Sequence, residues 1–378
     1  MDIKDFKAGT FKPQYNYKSF SPSKINIEWI VSNPQVNKLL EEANLKLGEL
    51  NAFSEIVPDV DLFIRMHIVK EATSSSRIEG TQTNIEVAVL KEKDISNEKK
   101  DDWREVQNYI NAMNDAISSL QNLPISTRLI KLAHKILLQS VRGKNKMPGE
   151  YRTSQNWIGG ATISDAVFIP PHFSELPELL SDLENFLNNN SINVPHLIKI
   201  GIAHYQFETI HPFLDGNGRA GRLLITLYLV ANKILTKPTL YLSDFFEKNR
   251  QLYYDNLTVV RTKNDLTQWI KFFLTGVIQT SKNGIDTFQK ILQLRTEIEE
   301  RKIVKMGKRI PLAKKVICYL YKYPIVNPGY LVDEFGISKQ TANSMIHDLV
   351  KLKILTEITG QKRNRLFVFQ DYINLFKG

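Results

Sequence analysis

The chain has 378 residues, with 50 Lys and Arg against 40 Asp and Glu and a single cysteine, Cys318. That length calls for two or three domains with ample core, and one cysteine excludes a disulfide scaffold and suits a reducing cytoplasm, where we expect the protein. A net charge of +10 suggests polyanionic partners without choosing between nucleotide and nucleic acid, while no signal pattern opens the chain and no stretch offers the roughly 18 unbroken apolar residues of a membrane span.

Residues 1–34 carry Phe11, Tyr15, Tyr17, Phe20 and several prolines with no sustained period, and read as an arm wrapped on the surface. Helical patterns follow at 35–50 and 59–77. The second ends in Ser75-Ser76-Arg77-Ile78-Glu79-Gly80. Gly80 fits the position just past a helix end, which puts Glu79 at the negative end of the dipole, disfavoured by up to about 1 kcal/mol. Such an acid either stands in solvent or finds a cation.

Residues 81–102 are charged and read as a connection, with helices next at 103–120 and 126–138. Turn chemistry at 147–152 leads to two short apolar arms, 156–160 and 167–172, around a Gly- and Asp-containing bend; they read as a β-hairpin. Helices resume at 175–188 and 194–210. His204 on the latter reads as a core histidine.

The chemistry is concentrated in His211-Pro-Phe-Leu-Asp-Gly-Asn-Gly-Arg-Ala-Gly-Arg222, between two apolar runs. Gly216 and Gly218 flank Asn217 at a helix start, where converging N–H groups and the dipole favour an anion such as phosphate. Arg219 and Arg222, three residues apart, can each offer a bidentate fork to phosphate oxygens. Asp215 can hold a divalent cation that bridges phosphates. His211, as a neutral imidazole, can take a proton from an incoming hydroxyl, so activity should fall at acid pH.

Beyond the motif, helices are expected at 244–257 and 266–280, then a charged connector at 283–305 and a basic joint at 302–309. The tail reads as helices at 312–321, 330–335 and 339–352 with strands at 354–359 and 365–369: a helix-turn-helix with a basic hairpin that resembles a winged helix. Cys318 should be buried in the first of these helices. Lys339, Gln340 and Asn343 would face a major groove, with Lys362, Arg363 and Arg365 toward phosphate, so DNA or a protein is the expected partner of this unit.

The motif resembles that of the Fic (Fic/Doc) family, His-x-Phe-x-Asp/Glu-Gly-Asn-Gly-Arg-x-x-Arg, with every specified position present. The resemblance implies a mainly α fold: a Fic-type helical domain with a β-hairpin flap, followed by a C-terminal winged helix-turn-helix. We expect an N-terminal helical region at 1–110, the core at 111–282, a connector at 283–310 and the winged helix at 311–378. The implied activity is transfer of AMP from ATP to a Ser, Thr or Tyr hydroxyl of a target protein, with Mg2+, self-modification included.

By position in the family, His211 would be the general base and Asp215 the metal ligand. Gly216, Asn217, Gly218, Arg219, Ala220, Gly221 and Arg222 would hold ATP, with Tyr253 lining the adenine pocket, Lys248 and Arg261 as weaker nucleotide contacts and Phe213 as an anchor. Ser75, Glu79 and Gly80 match an inhibitory motif in which Glu79 would pair with Arg222 in the space of the γ-phosphate. Ile158, Gly159, Val167 and Phe168 would form a flap over the catalytic loop, against which an extended target segment could pair. Two rival readings stay open: transfer of phosphate, another nucleotidyl group or phosphocholine by the same loop, and a DNA-binding regulator whose core senses nucleotide. Whether the chain pairs as a homodimer is also left open.

Overall fold

Polar caps set most of the helix starts. In the computed structural model, which describes residues 1–139, 145–361 and 363–377, Asn33 caps α1 (Pro34–Ile56) through its side chain, with Pro34 inside the first turn. After α1 come α2 (Val60–Ile78), the single turn α3 (Ile85–Ala88) and α4 (Lys100–Ser119). Ser126 caps α5 (Thr127–Leu137), and α6 (Leu176–Asn188), α7 (His196–Ile210) and α8 (Asn217–Ala231) complete the helices around the motif. Residues 81–99 are three short turns, so the expected connection holds, with Asn84 capping α3.

α7 and α8 form the centre. Every residue of α7 after His196 is buried, and α8 is buried from Arg219 to Leu229, so neither helix has the polar stripe of a surface helix. α2, α4 and α5 pack on α8, and α6 packs on α7. The helix expected at 244–257 is two, α9 (Ser243–Lys248) and α10 (Arg250–Lys263), broken at Asn249. The break expected near residue 282 is absent. α11 runs unbroken from Leu266 to Thr296 because Ser281 and Gly284 lie on its buried face, and a Cβ at Gly284 would stand 2.9 Å from Leu50 of α1. A π turn (Glu297–Lys302) leads into the basic joint, a tight turn (Ile303–Arg309) kinked at Gly307.

The arm is partly ordered as an antiparallel hairpin, β1 (Gly9–Pro13) with β2 (Lys18–Pro22), in which Phe11 faces Phe20. Burial in Lys18-Ser-Phe-Ser-Pro22 does not alternate, since Ser19 and Phe20 are both buried, so no period of two marked the strand. The expected hairpin at 156–172 shrinks to one bridge, Ile158 with Phe168. Pro170 and Pro171 have no N–H to extend a ladder, and Gly159 and Gly160 both take positive φ, turning the arm away. The segment is instead joined to β2, whose Phe20 N–H donates to the Ile169 carbonyl at 2.9 Å.

The tail is α12 (Ile310–Lys322), β3 (Ile325–Val326), α13 (Pro328–Phe335), α14 (Lys339–Lys351), β4 (Thr356–Glu357), β5 (Phe367–Val368) and the short α15 (Gln370–Asn374). Sheet order is β3-β5-β4, antiparallel throughout, with Ser338 capping α14 as expected. The strands are shorter than the apolar runs suggested, and β3 was not foreseen. Cys318 is half-buried rather than buried, because it lies at the edge of the apolar face of α12. Lys362 lies outside the described residues. Among the described residues no helix is long and apolar enough to cross a membrane.

Candidate active site

α7 stops at His211, which takes the left-handed conformation (φ 49°, ψ 60°) while its N–H closes on the Phe207 carbonyl at 2.9 Å. A non-glycine residue there costs about 1 kcal/mol or more and needs fixing from outside. Arg152 supplies it. Only 2% exposed, it donates from Nε to the His211 carbonyl at 3.0 Å and from its terminal nitrogens to Pro171 at 2.6 Å, Ser154 at 3.2 Å and Ile210 at 3.4 Å. Arg261 adds a bond to the Glu208 carbonyl at 3.3 Å and lies 3.9 Å over the Phe168 ring. Two guanidiniums therefore satisfy the free carbonyls of a buried helix end. Burial first, then Arg261 and Arg152, push the His211 imidazole down to about 3, which keeps it neutral at physiological pH. Its Nδ1 is buried without a hydrogen-bond partner among the described residues.

The loop after His211 is closed from within. Asn217 accepts the Phe213 N–H at 2.8 Å and donates to the Phe213 carbonyl at 2.8 Å, so its side chain braces the turn rather than pointing at a ligand. Phe213 is fully buried and stacked on His134, ring centroids 3.6 Å apart, as its expected anchoring part requires. His134 accepts the Gly149 N–H on Nδ1 at 3.0 Å, so its Nε2–H donates to the Asp215 carbonyl at 2.8 Å. Burial pushes this ring down to about 4, which holds it neutral in that tautomer. Asn156 adds a bond to Phe213 O at 2.8 Å.

Gly216, at φ 75°, starts α8 with no side-chain cap. The first N–H groups of α8 thus converge uncapped on one spot. The Glu79 carboxylate lies beside that helix start: a Cβ placed on Gly218 would fall 2.3 Å from Glu79 Oε1. Glu79 reaches it from the end of α2, where Gly80 takes φ 102° and donates its N–H to Arg77 O at 3.0 Å. Arg222, its side chain 1% exposed, donates Nη2 to Glu79 Oε1 at 2.6 Å and to Ser75 O at 3.0 Å, and Nε to Ser75 Oγ at 2.9 Å. Burial alone would raise the Glu79 carboxyl, but the Arg222 charge outweighs it and holds the acid below its ordinary range.

The second arginine is placed differently. Arg219 is 5% exposed and turns toward Glu105 of α4 at 3.5 Å and Asp215 at 3.9 Å. Three residues along a helix separate the two side chains by about 60°, enough to send one to α2 and the other to α4. Asp215 is 45% exposed and accepts the Gly216 N–H at 2.6 Å. Among the described residues no three His, Cys, Asp or Glu cluster as a metal site. One exposed carboxylate fits Mg2+ only if phosphate oxygens complete the shell.

Several of the expected nucleotide contacts have partners within the fold. The Ala220 N–H is used by Gly216 O at 3.0 Å and the Gly221 carbonyl by His204 at 3.0 Å, so both residues are helix interior. Gly221 serves close packing instead, since a Cβ there would meet Glu208 Oε1 at 2.3 Å. Tyr253 is 1% exposed with its phenol bonded to His204 Nε2 at 2.9 Å, so it belongs to the core together with His204; its neighbour Tyr254, at 38%, faces outward. Lys248 is paired with Asp244 at 3.1 Å. Of the flap residues Val167 is exposed, Gly159 lies against it, Ile158 makes the bridge, and Phe168 turns inward under Arg261.

Arg152, His134, Glu105 and Glu208 were not foreseen. His134 had a signal: it stands on the apolar stripe Leu129, Ile130, Ala133, Leu137. Glu208 sits three residues before His211, buried, its Oε1 without a partner among the described residues, and burial pushes it up to about 7 despite Arg222.

A family model described as Fic/DOC family N-terminal matches residues 37–118, and one described as Fic/DOC family matches 124–229. The protein adenylyltransferase Fic of Aedes aegypti is 32% identical over 169 residues, 43% of this chain and 29% of that protein. That of Drosophila erecta is 34% identical over 123 residues, covering 32% and 22%. The chain thus spans less than a third of the length of these curated relatives. A crystal structure of a Fic family protein from Desulfovibrio desulfuricans G20 superposes with a TM-score of 0.60 at 21% identity, covering 90% of this chain and 97% of that one. A Fic domain containing signaling protein from Bacteroides thetaiotaomicron gives 0.52 at 18%, covering 68% and 97%. At such identities the likeness is one of fold.

Proposed function

The chain belongs to the Fic family, and on that premise we propose that it is a protein adenylyltransferase held in check by its own Glu79. One observation carries the reading: the Glu79 carboxylate rests on Gly218 at the uncapped start of α8 while Ser75 and Glu79 together occupy Arg222. A carboxylate and a terminal phosphate are alike in charge and in accepting a guanidinium fork, so in this reading Glu79 stands where the tail of ATP would lie. Productive binding needs Glu79 to withdraw and Arg222 to turn to phosphate, with Arg219 leaving Glu105.

In the proposed reaction the neutral His211 takes the proton of a target Ser, Thr or Tyr hydroxyl. The hydroxyl oxygen bonds to the α-phosphorus as the bond to the α,β-bridging oxygen breaks. Pyrophosphate leaves with its charge on Arg219, Arg222 and the first N–H groups of α8. Mg2+, held by Asp215 and phosphate oxygens, would neutralise part of that charge. Arg152 and His134 keep the loop in its strained form and do not touch substrate.

The test is incubation of wild-type, Glu79→Gly and His211→Ala protein with α-labelled ATP and lysate, with the mass of the modified protein recorded. Glu79→Gly is expected to raise transfer by about tenfold or more, the equivalent of about 1.4 kcal/mol, and His211→Ala to abolish it in either background. Transfer by His211→Ala would remove the proposed base, no gain in Glu79→Gly would remove the inhibition, and a phosphoryl rather than adenylyl mass would change the group transferred.

A further inference from the structure

The charge of this chain is not spread along it. Residues 301–378, the end of the π turn and the joint together with the tail unit, hold 15 of the 50 Lys and Arg but only 5 of the 40 Asp and Glu, a net +10 of which residues 301–309 supply five, and the preceding 300 residues are neutral. A catalytic core that must meet ATP needs no such tail, and a docking unit for an average protein surface would not concentrate one sign of charge.

Part of that charge borders one helix, while Lys377 pairs with Glu86 and Lys302 with Glu297. α14 buries Ala342, Met345, Ile346 and Leu349 and leaves Lys339, Gln340, Asn343, Ser344, His347 and Lys351 exposed. The acid bordering this face, Asp348, is neutralised by Arg309 of the basic joint. The joint lies alongside: Arg309 also donates to Ser344 Oγ at 2.9 Å, and Lys302, just before it, to the carbonyl of Lys353 at 3.5 Å. On the wing, Arg363 and Arg365 are exposed, and Arg365 pairs with Glu357 at 3.1 Å. Contacts with the rest of the chain are made elsewhere on the unit, through Tyr321 on Phe63, Tyr330 on Asp94 and Phe376 on His67. They leave the α14 face open.

We propose that this face binds duplex DNA, with α14 in the major groove and the joint and wing on the flanking backbones. The B-form major groove, about 12 Å wide, admits one helix, and Lys, Gln and Asn are side chains that pair with guanine and adenine edges there. Cations on both sides of a reading helix are what phosphate contacts require. The deep, narrow major groove of A-form RNA excludes a helix.

The experiment is anisotropy titration of the full chain into labelled duplex DNA, with duplex RNA and polyglutamate in parallel, at several salt concentrations. Duplex DNA should bind at least tenfold tighter than either competitor, with affinity falling as salt rises. Lys339→Ala and Arg363→Ala, at exposed positions that leave the fold intact by circular dichroism, should each weaken binding and lower the salt slope by about 1. Equal or tighter binding of RNA or polyglutamate, or DNA binding unmoved by both folded variants, would overturn the proposal. AMP transfer is a separate readout, so neither result depends on the catalytic reading.

Discussion

Arg152 is a guanidinium in the interior with no carboxylate partner among the described residues; its hydrogen bonds go to carbonyls of the chain. Burial pulls it down to about 10, still a cation at neutral pH. Replacing it by Ala leaves several buried carbonyls unpaired, each costing about 1–3 kcal/mol. We expect Arg152→Ala to lose about 3 kcal/mol or more in urea unfolding, and AMP transfer to fall because His211 relaxes from its left-handed backbone. Ser75 gives a finer test. Ser75→Ala removes the Arg222 Nε partner and the hydrogen bond with the Tyr109 phenol but keeps Glu79, so basal transfer should rise, but less than in Glu79→Gly; equal gains in an assay of label incorporation would mean that Ser75 does more than orient Arg222.

The helices meet through histidines that must stay neutral. His67 on α2, His134 on α5, His204 on α7 and His211 at its end are pushed by burial to about 3, 4, 3 and 3. In the unfolded chain each titrates near 6.5, so below that pH the unfolded state binds protons that the folded state refuses. Stability must therefore fall with pH between about 6.5 and 4, by up to about 1.4 kcal/mol per unit for each group. Glu208, pushed up to about 7, and Glu71, also raised by burial, act in the opposite sense over part of that window by holding protons in the folded state. His196, also pushed down by burial, adds to the loss and Asp182, pushed up, opposes it; the histidines outnumber the raised acids, and the melting temperature should drop from pH 7 to pH 5. Because His211 is already neutral at pH 6, the base limb of the rate profile should lie well below the pH at which an ordinary histidine titrates. An acid limb of transfer with a midpoint near 6.5 would contradict that burial effect.

Across the whole molecule α2 is held at two places. Its last turns sit on Arg222, and its middle carries the tail unit: Tyr321 lies 5.1 Å from Phe63, Phe376 lies 5.0 Å from His67, and Arg65 lies 4.6 Å over Tyr323. The tail therefore stabilises the helix that presents Glu79. Truncating Phe376, 2% exposed, to Ala should cost about 3 kcal/mol. If α2 moves as one rod, the same variant should also transfer AMP above the wild-type level. Thermal melts and label incorporation on one preparation decide this: destabilisation without a gain in transfer would mean that the tail braces the fold and leaves the Glu79 contact untouched.

The sequence by itself determined what is local. Glycines at a helix start, a capping serine before α14, Gly80 past α2 and the apolar periods all act over a few residues, so their structural consequences could be read in order along the chain. The pairing of Glu79 with Arg222, 143 residues apart, was legible only because a family pattern joined two distant stretches. Tertiary structure alone decided the rest: Arg152 on His211 across 59 residues, His134 on Asp215 across 81 and Arg219 toward Glu105 across 114. It also decided which tyrosine of the 253–254 pair is sealed, and that the 156–172 arms join β2 instead of forming a ladder. A buried polar group needs a partner, but its own neighbours in sequence do not say which remote segment will bring one. That choice is made by how the helices pack.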